Sequence, residues 1–286
     1  MGDLMENTKN MLNKAKEGKY AIPQFNINNL EWAKFILEEC ESNNSPVIIG
    51  VSEGAAKYMG GYNVVYAIVS SLIESLKIKV PVCLHLDHGS TFEACKNAID
   101  AGFTSVMIDA SKYELDENIR ITKEVVNYAR KHNITVEAEV GHIGGEEDGI
   151  SAEIAYAKVE DAVQLYEETN VDLFAPALGS VHGLYKGEPK LDFERMQIIR
   201  DKTNIPLVLH GGSGIPDALI EKAIESGICK ININTELQIS WHNAVKEFVK
   251  NNENSYDPRK VIKSGEASLK ESVTEKIKLL GSNNKA

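Results

Sequence analysis

Eight short apolar runs recur along the chain with room for a helix between successive runs: Ala21–Phe25, Val47–Val51, Val82–Leu86, Ser105–Ile108, Thr135–Val140, Leu173–Ala177, Leu207–Leu209 and Lys230–Ile233. Most are bounded by Gly, Pro, Asn or Asp. Short, continuously apolar segments with such boundaries are the signature of strands buried on both faces, as in a parallel sheet. The intervening segments carry helical spacing. Leu30, Ala33, Ile36 or Leu37, and Cys40 line up behind Asn29, and Ile119, Thr122, Val126 and Ala129 behind Asp116. Ala162, Val163 and Tyr166 form a shorter stripe. Asp192 can cap a helix that buries Met196 and Ile199, and Pro216 suits the first turn of one carrying Leu219 and Ala223. Leu237, Trp241, Ala244, Val245 and Phe248 follow the last run, and Leu269, Val273, Ile277 and Leu280 mark a final helix.

Strands alternating with helices in this way predict an α/β fold, a single (β/α)8 TIM barrel over residues 1–286 with a C-terminal helical extension. A doubly wound open sheet is the alternative, weakened because no G-x-G-x-x-G follows the first run. The Asn251–Asp257 stretch reads as a polar loop, and the tail Gly281–Ala286 as frayed. A net charge of −11 without a basic cluster argues against a nucleic-acid surface. The four cysteines are scattered and form no C-x-x-C. They read as buried apolar groups in a reducing compartment. With no signal-like h-region and no membrane-length apolar run, the expectation is a cytoplasmic protein.

In a barrel, chemistry collects at the C-terminal strand ends. Those ends read Asn26, Ser52, Asp87-His88, Asp109, Glu139, His182, His210 and Asn234-Thr235. The third run stops abruptly in Asp87-His88-Gly89, and Ser90 with Glu93 has the form of a capping box opening the next helix. His88, His182 and His210 share the rim. Three neutral imidazoles with one open position form the catalytic zinc pattern, with Glu139 able to complete or alternate in the shell. The competing reading is three histidines hydrogen-bonded in a barrel mouth. His85 faces the barrel interior as a core histidine, His132 and His242 read as surface or structural, and His142 is left without a role. The loop Gly211–Pro216 with Asn232–Thr235 offers backbone amides for a phosphate, the usual use of the last two strand ends in this fold, and Ser180–Gly183 can add another. Gly141–Gly149 encloses three acids, and is either a solvated loop or a lid that brings in a carboxylate base.

Six motifs in order resemble the class II, metal-dependent fructose-1,6-bisphosphate aldolases over nearly the whole chain: Leu86–Gly89, Glu137–Gly141, Gly144–Asp148, Gly179–Gly183, Leu209–Gly212 and Asn232–Thr235. The resemblance implies a catalytic Zn2+ on His88, His182 and His210, with Glu139 as an alternating outer ligand. It implies that Asp87 is the acid/base at the C4 hydroxyl and that Glu147 moves the C3 proton. Gly183, Gly211, Ser213, Asn232 and Thr235 would hold the phosphate of dihydroxyacetone phosphate, beside a monovalent cation, Na+ or K+. Arg259 would reach the other phosphate, in some members from a neighbouring subunit, while Asn26, Ser52 and Asn234 would lie near the substrate. The family implies a phosphorylated sugar substrate and a homodimer or homotetramer. Tagatose-1,6-bisphosphate aldolase is the nearest alternative. Ala175–Ser180 and Asn234 look more like the fructose enzymes, since tagatose members carry a small residue in place of Asn234. A Schiff-base mechanism would need a central-strand lysine. The sixth run has none, and Lys230 begins the eighth at the end away from the rim. A non-catalytic sugar-phosphate-binding protein is a more distant alternative.

Overall fold

In the computed structural model, which describes residues 5–147, 150–152, 155–183, 185 and 187–286, all eight predicted runs are strands of one closed parallel barrel. In chain order the elements begin with α1 (Thr8–Gly18), β1 (Ile22–Asn26), α2 (Leu30–Ser42), β2 (Val47–Ser52), α3 (Glu53–Met59), α4 (Tyr62–Leu76), β3 (Val82–Gly89) and α5 (Phe92–Asp100). Next come β4 (Ser105–Ile108), α6 (Leu115–Arg130), β5 (Thr135–Val140), β6 (Gly144–Glu147), β7 (Ile150–Ala152), α7 (Val159–Thr169), β8 (Leu173–Pro176) and β9 (Val181–His182). The chain ends with α8 (Phe193–Thr203), β10 (Leu207–Leu209), α9 (Asp217–Glu225), β11 (Ile228–Ile233), α10 (Thr235–Asn251), α11 (Pro258–Lys263) and α12 (Glu266–Leu279). The barrel runs β1-β11-β10-β8-β5-β4-β3-β2, and the β1–β11 pairing that closes it sets Ile22 against Lys230 and Gln24 against Asn232. Among the described residues no helix is long and apolar enough to cross a membrane.

Side chains alternate across a strand, so every second residue points into the barrel. The inward positions change character along the axis. At the N-terminal end Ile22, Ile48, Cys83, Leu173 and Val208 form an apolar layer, closed from below by Met11, Leu12 and Ala15 of α1. Above it lie Gln24, His85, Glu137 and Lys230, all fully buried. Above those stand Asn26, Asp87, Glu139, His210 and Asn232 at the mouth. A larger apolar cluster outside the strands joins them to the surrounding helices.

Local chemistry explains the helix starts. Asn29 Oδ1 accepts from Trp32 N (2.9 Å) and Asp192 Oδ1 from Arg195 N (2.9 Å), as predicted. The expected capping box at Ser90 and Glu93 does not form. Strand β3 continues to Gly89, which shifts the cap to Thr91, whose Oγ1 accepts from Ala94 N (3.1 Å). Ser90 N instead donates to Glu53 Oε1 (2.6 Å). The C-terminal tail is anchored rather than frayed. Asn284 N donates to Asn43 O (3.0 Å), and Ser45 Oγ donates to Ser282 Oγ (3.0 Å).

Leu12 is 1% exposed within the layer that seals the barrel base. Leu12→Ala is expected to lower stability by about 2–5 kcal/mol, from lost burial and the cavity left behind. Urea unfolding of the variant beside the wild type measures it.

Candidate functional site

The site begins with a break in strand register. Along β3–β4, His85 pairs with Ser105 and Leu86 with Val106, but the next pair is Gly89 with Ile108. Asp87 and His88 occupy the irregularity, and His88 has φ 51°, in the left-handed region. On a regular strand two successive side chains face opposite ways. The bulge re-aims them, so both serve the mouth. Asp87 Oδ2 accepts from Asn26 Nδ2 (2.8 Å) and Oδ1 from Asn232 Nδ2 (3.2 Å). His88 Nδ1 lies 2.9 Å from Asp109 Oδ2, and His88 Nε2 2.9 Å from His210 Nδ1.

The proton positions follow from the acids. Burial works to raise Asp109 and Glu137, but the His88 hydrogen bond and charge hold Asp109 well below the usual carboxylate range, and Lys230 and His210 do the same for Glu137. An ionised carboxylate only accepts. His88 therefore donates through Nδ1 to Asp109, and His210 through Nε2 to Glu137 Oε1, 2.7 Å away. The opposite nitrogens, His88 Nε2 and His210 Nδ1, face each other within hydrogen-bond distance. Asn232 Nδ2, a donor, also lies 3.2 Å from His210 Nδ1. Burial, reinforced by His88, pushes both His182 and His210 below the ordinary imidazole range, so both favour the neutral form that binds metals.

Ligand atoms of His88, His182 and His210 lie within 4.8 Å of one another, as do those of His88, Asp109 and Glu139. Converging imidazole nitrogens, with carboxylates behind two of the rings, fit a divalent cation bound by nitrogen. Glu139 suits an occasional ligand. Burial and the charge of Asp109 raise its carboxyl well above the usual range. Its Oε1 accepts from Ile143 N (3.1 Å), while Oε2 has no hydrogen-bond partner and lies 3.9 Å from His88 Nδ1.

Beneath this cluster is a residue whose role sequence reasoning missed. Lys230 is the third residue of β11, not the first, and is fully buried. Its Nζ donates to Glu137 Oε2 (2.8 Å) and to Asn232 Oδ1 (2.8 Å). It thus lies in the layer directly below the site, and the description of it as remote from the rim is corrected. Its ammonium is committed to Glu137 and Asn232 and does not line the pocket. The alternation that places Glu137 and Lys230 on inward faces was the available signal. His85 is the expected core histidine. Burial and the Lys230 charge push it down to about 3, and its Nδ1 contacts Ser105 Oγ (2.8 Å).

A cavity of about 140 Å3 opens at the mouth, lined by Asn26, Asp87, His182, Gly183, Gly211, Ser213, Asn232, Asn234, Thr235 and Gln238. All but Gln238 were expected from the sequence; Gln238 follows one turn into the helix that Asn234 opens. Gly211 has φ 63°, and a Cβ there would meet Val181 O at 2.1 Å, so the close approach of its loop to β9 requires glycine. Tyr185 fastens the same two segments. Its hydroxyl donates to Gly211 O (2.9 Å) and accepts from Val181 N (3.1 Å), and burial pushes the phenol up to about 12.

Three expected residues stand apart. Ser52 Oγ caps α3 by accepting from Ala55 N (3.1 Å), although Ser52 is in register with Asp87. Arg259 is not at the cavity; its side chain is 90% exposed and pairs with Asp257. The backbone of Glu147 ends β6, but its side chain lies outside what the structure describes, as does Asp148.

Comparison with known proteins gives a consistent picture. The family model described as fructose-bisphosphate aldolase class-II matches residues 6–285. The fructose-bisphosphate aldolase of Geobacillus stearothermophilus is 56% identical over 279 residues, covering 97% of each chain. That of Staphylococcus aureus strain Mu50 is 53% identical over 279 residues, covering 97% of this chain and 98% of the other. Among solved structures, the YdjI aldolase from Escherichia coli K12 matches with a TM-score of 0.86 at 37% identity, covering 99% of both chains.

The Lys230 contacts carry a prediction. Lys230→Met leaves Glu137 as an uncompensated buried charge, expected to cost about 3–5 kcal/mol of stability. It also removes the support that fixes the His210 tautomer, so metal affinity should fall about 10–100-fold. Adding Glu137→Leu should recover much of the stability but not the affinity. Urea unfolding and chelator competition measure the two quantities separately.

Proposed function

The chain belongs to the class-II fructose-bisphosphate aldolase family of carbon–carbon lyases, and from that premise we propose that it cleaves fructose 1,6-bisphosphate reversibly with a bound Zn2+. The products are dihydroxyacetone phosphate and glyceraldehyde 3-phosphate. The observation that carries this reading is the convergence of three imidazoles at ligand spacing beside a buried, ionised carboxylate. His88, His182 and His210 would hold the ion, with Glu139 as the alternating ligand. When bound, the ion supplies a Lewis acid for the C2 carbonyl and for the charge that develops as the C3–C4 bond breaks.

Asp87 takes the proton of the C4 hydroxyl. Burial works to raise its pKa, but His88, His210 and Lys230 together hold it below the usual carboxylate range. It is therefore a ready acceptor, and Asn26 and Asn232 fix the direction of its oxygens. Glu147 moves the proton at C3. A separate group serves there because one proton leaves the hydroxyl oxygen at C4 and the other is delivered to carbon at C3.

One phosphate is bound at Gly183, Gly211, Ser213, Asn232 and Thr235, where loop amides and the start of α10 favour an anion; a monovalent cation, Na+ or K+, assists beside it. Asn26 and Ser52 serve the sugar. Asn234 Oδ1 is buried without a hydrogen-bond partner and Asn234 lines the cavity, which supports a polar contact to substrate and favours fructose over tagatose bisphosphate.

Arg259 serves the second phosphate from a second copy of the chain. Two observations support a homodimer or homotetramer. Arg259 stands outside its own cavity, and α10 buries only Leu237 while Ile239, Val249 and Tyr256 are 40%, 47% and 95% exposed. The four free, buried cysteines suit a reducing cytoplasm, where the activity would serve glycolysis.

Purified enzyme should cleave fructose 1,6-bisphosphate, lose activity to a chelator and regain it with Zn2+. Activity indifferent to chelation would overturn the metal assignment. No turnover of fructose or tagatose bisphosphate would favour a binding protein. Asp87→Asn should lower kcat by about 10^2–10^4-fold. Mixing Arg259→Ala with Asp87→Asn chains should restore part of the activity, because a mixed assembly contains one site with both residues intact.

A further inference from the structure

We propose that His142 is a positioning residue that ties the β6–β7 hairpin to the metal ligands and so sets where Glu147 stands. The proposal rests on the aldolase reading above. His142 lies between the end of β5 at Val140 and the start of β6 at Gly144. Its backbone closes the base of the hairpin: His142 N donates to Ala155 O (2.7 Å), and Ala155 N donates to His142 O (2.9 Å).

The side chain carries the link onward. His142 Nδ1 is 3.0 Å from Ser111 Oγ, and Ser111 N donates to Asp109 Oδ1 (3.1 Å). Asp109 Oδ2 in turn receives His88 Nδ1 (2.9 Å). Within Gly141–Gly144, His142 alone has a polar side chain, so any side-chain hydrogen bond of that segment runs through its ring. A hydroxyl both donates and accepts, so the contact with Ser111 survives either imidazole tautomer.

The other flank of β6 is fixed through its backbone. Gly144 pairs with Val181 and Gly145 with His182 in parallel. A Cβ at Gly145 would meet His182 O at 2.1 Å, so the strands approach as closely as glycine allows. β6 is thereby held against one metal ligand by main-chain pairing, and its root is tied to a second through His142, Ser111 and Asp109. A strand whose end carries a catalytic acid needs such placement, because misplacement by about 1 Å can cost about 10^2-fold in rate.

The test uses the full-length zinc enzyme with His142→Ala, Ser111→Ala, the double variant and His142→Asn, whose amide can occupy the place of Nδ1. Hydrogen exchange at the Gly144 and Gly145 amides should be about 3–10-fold faster in each alanine variant, the effect of losing one hydrogen bond. The double variant should be no faster than either single one. In His142→Ala, kcat should fall about tenfold with KM little changed, and His142→Asn should recover most of the loss.

Additive effects of His142→Ala and Ser111→Ala, or exchange and kcat within twofold of wild type in His142→Ala, would overturn the proposal. The exchange cycle needs no turnover. If the wild type fails to cleave the bisphosphate but the cycle stays non-additive, the aldolase reading falls and the structural link stands.

Discussion

The ion pair between Glu137 and Lys230, sealed in the barrel at 2.8 Å, is the constraint around which the rest of the site is arranged. Barrel interiors of this type are ordinarily packed with branched apolar side chains. A buried pair seldom stabilises more than such packing would, because desolvation offsets the attraction. Here each partner performs a second task. Glu137 spends its other oxygen on His210, which leaves Nδ1 of that ring for a metal. Lys230 holds Asn232 Oδ1, which turns the Asn232 amide nitrogen toward Asp87. One pair thus orients both His210, a proposed metal ligand, and Asp87, the proposed base. The apolar layer below, with α1 against it, keeps water from this pair and supplies stability the polar layer does not.

The same fields divide the labour between two carboxylates. Asp87 and Glu139 are both buried at the mouth, and burial alone would raise both. Asp87 faces His88, His210 and Lys230, whose combined influence outweighs burial and holds its carboxyl below the usual range. Glu139 faces another acid, Asp109, and is raised further. Environments that separate carboxyl groups in this way assign their roles. Asp87 suits the base proposed above. Glu139, raised by burial and by Asp109, suits the occasional ligand proposed above, since a cation would favour its charged form.

Much of this was legible in the sequence, for identifiable reasons. Strands buried on both faces announce themselves by composition, and all eight runs were found. Strand-end polarity then located the histidines, Asp87 and the glycine loops. What was missed depends on distance rather than pattern. The cap at Thr91 moved because β3 carries a bulge, which period-two reasoning does not register. Lys230 was misjudged because its strand starts two residues earlier, at Ile228. β6 read as a loop because its glycines lack strand propensity, and β9, two residues long, is too short to show a pattern. They pair because only glycine tolerates the approach between Gly145 and His182. Arg259 was placed near the substrate by motif alone, and in the fold it lies outside the cavity, paired with Asp257.

The bulge at Asp87-His88 brings these threads together. A non-glycine residue in the left-handed region is disfavoured by about 1–2 kcal/mol. Glycine would remove that cost and with it the imidazole. A regular strand would also remove it, but would send either Asp87 or His88 away from the mouth. The strained conformation persists because His88 is held at both ring nitrogens, by Asp109 on one side and beside His210 on the other. Those partners come from β4 and β10, far apart in sequence and fixed by barrel closure. The local strain at His88 is therefore maintained by the global fold, and it places the proposed base and a proposed metal ligand on adjacent residues.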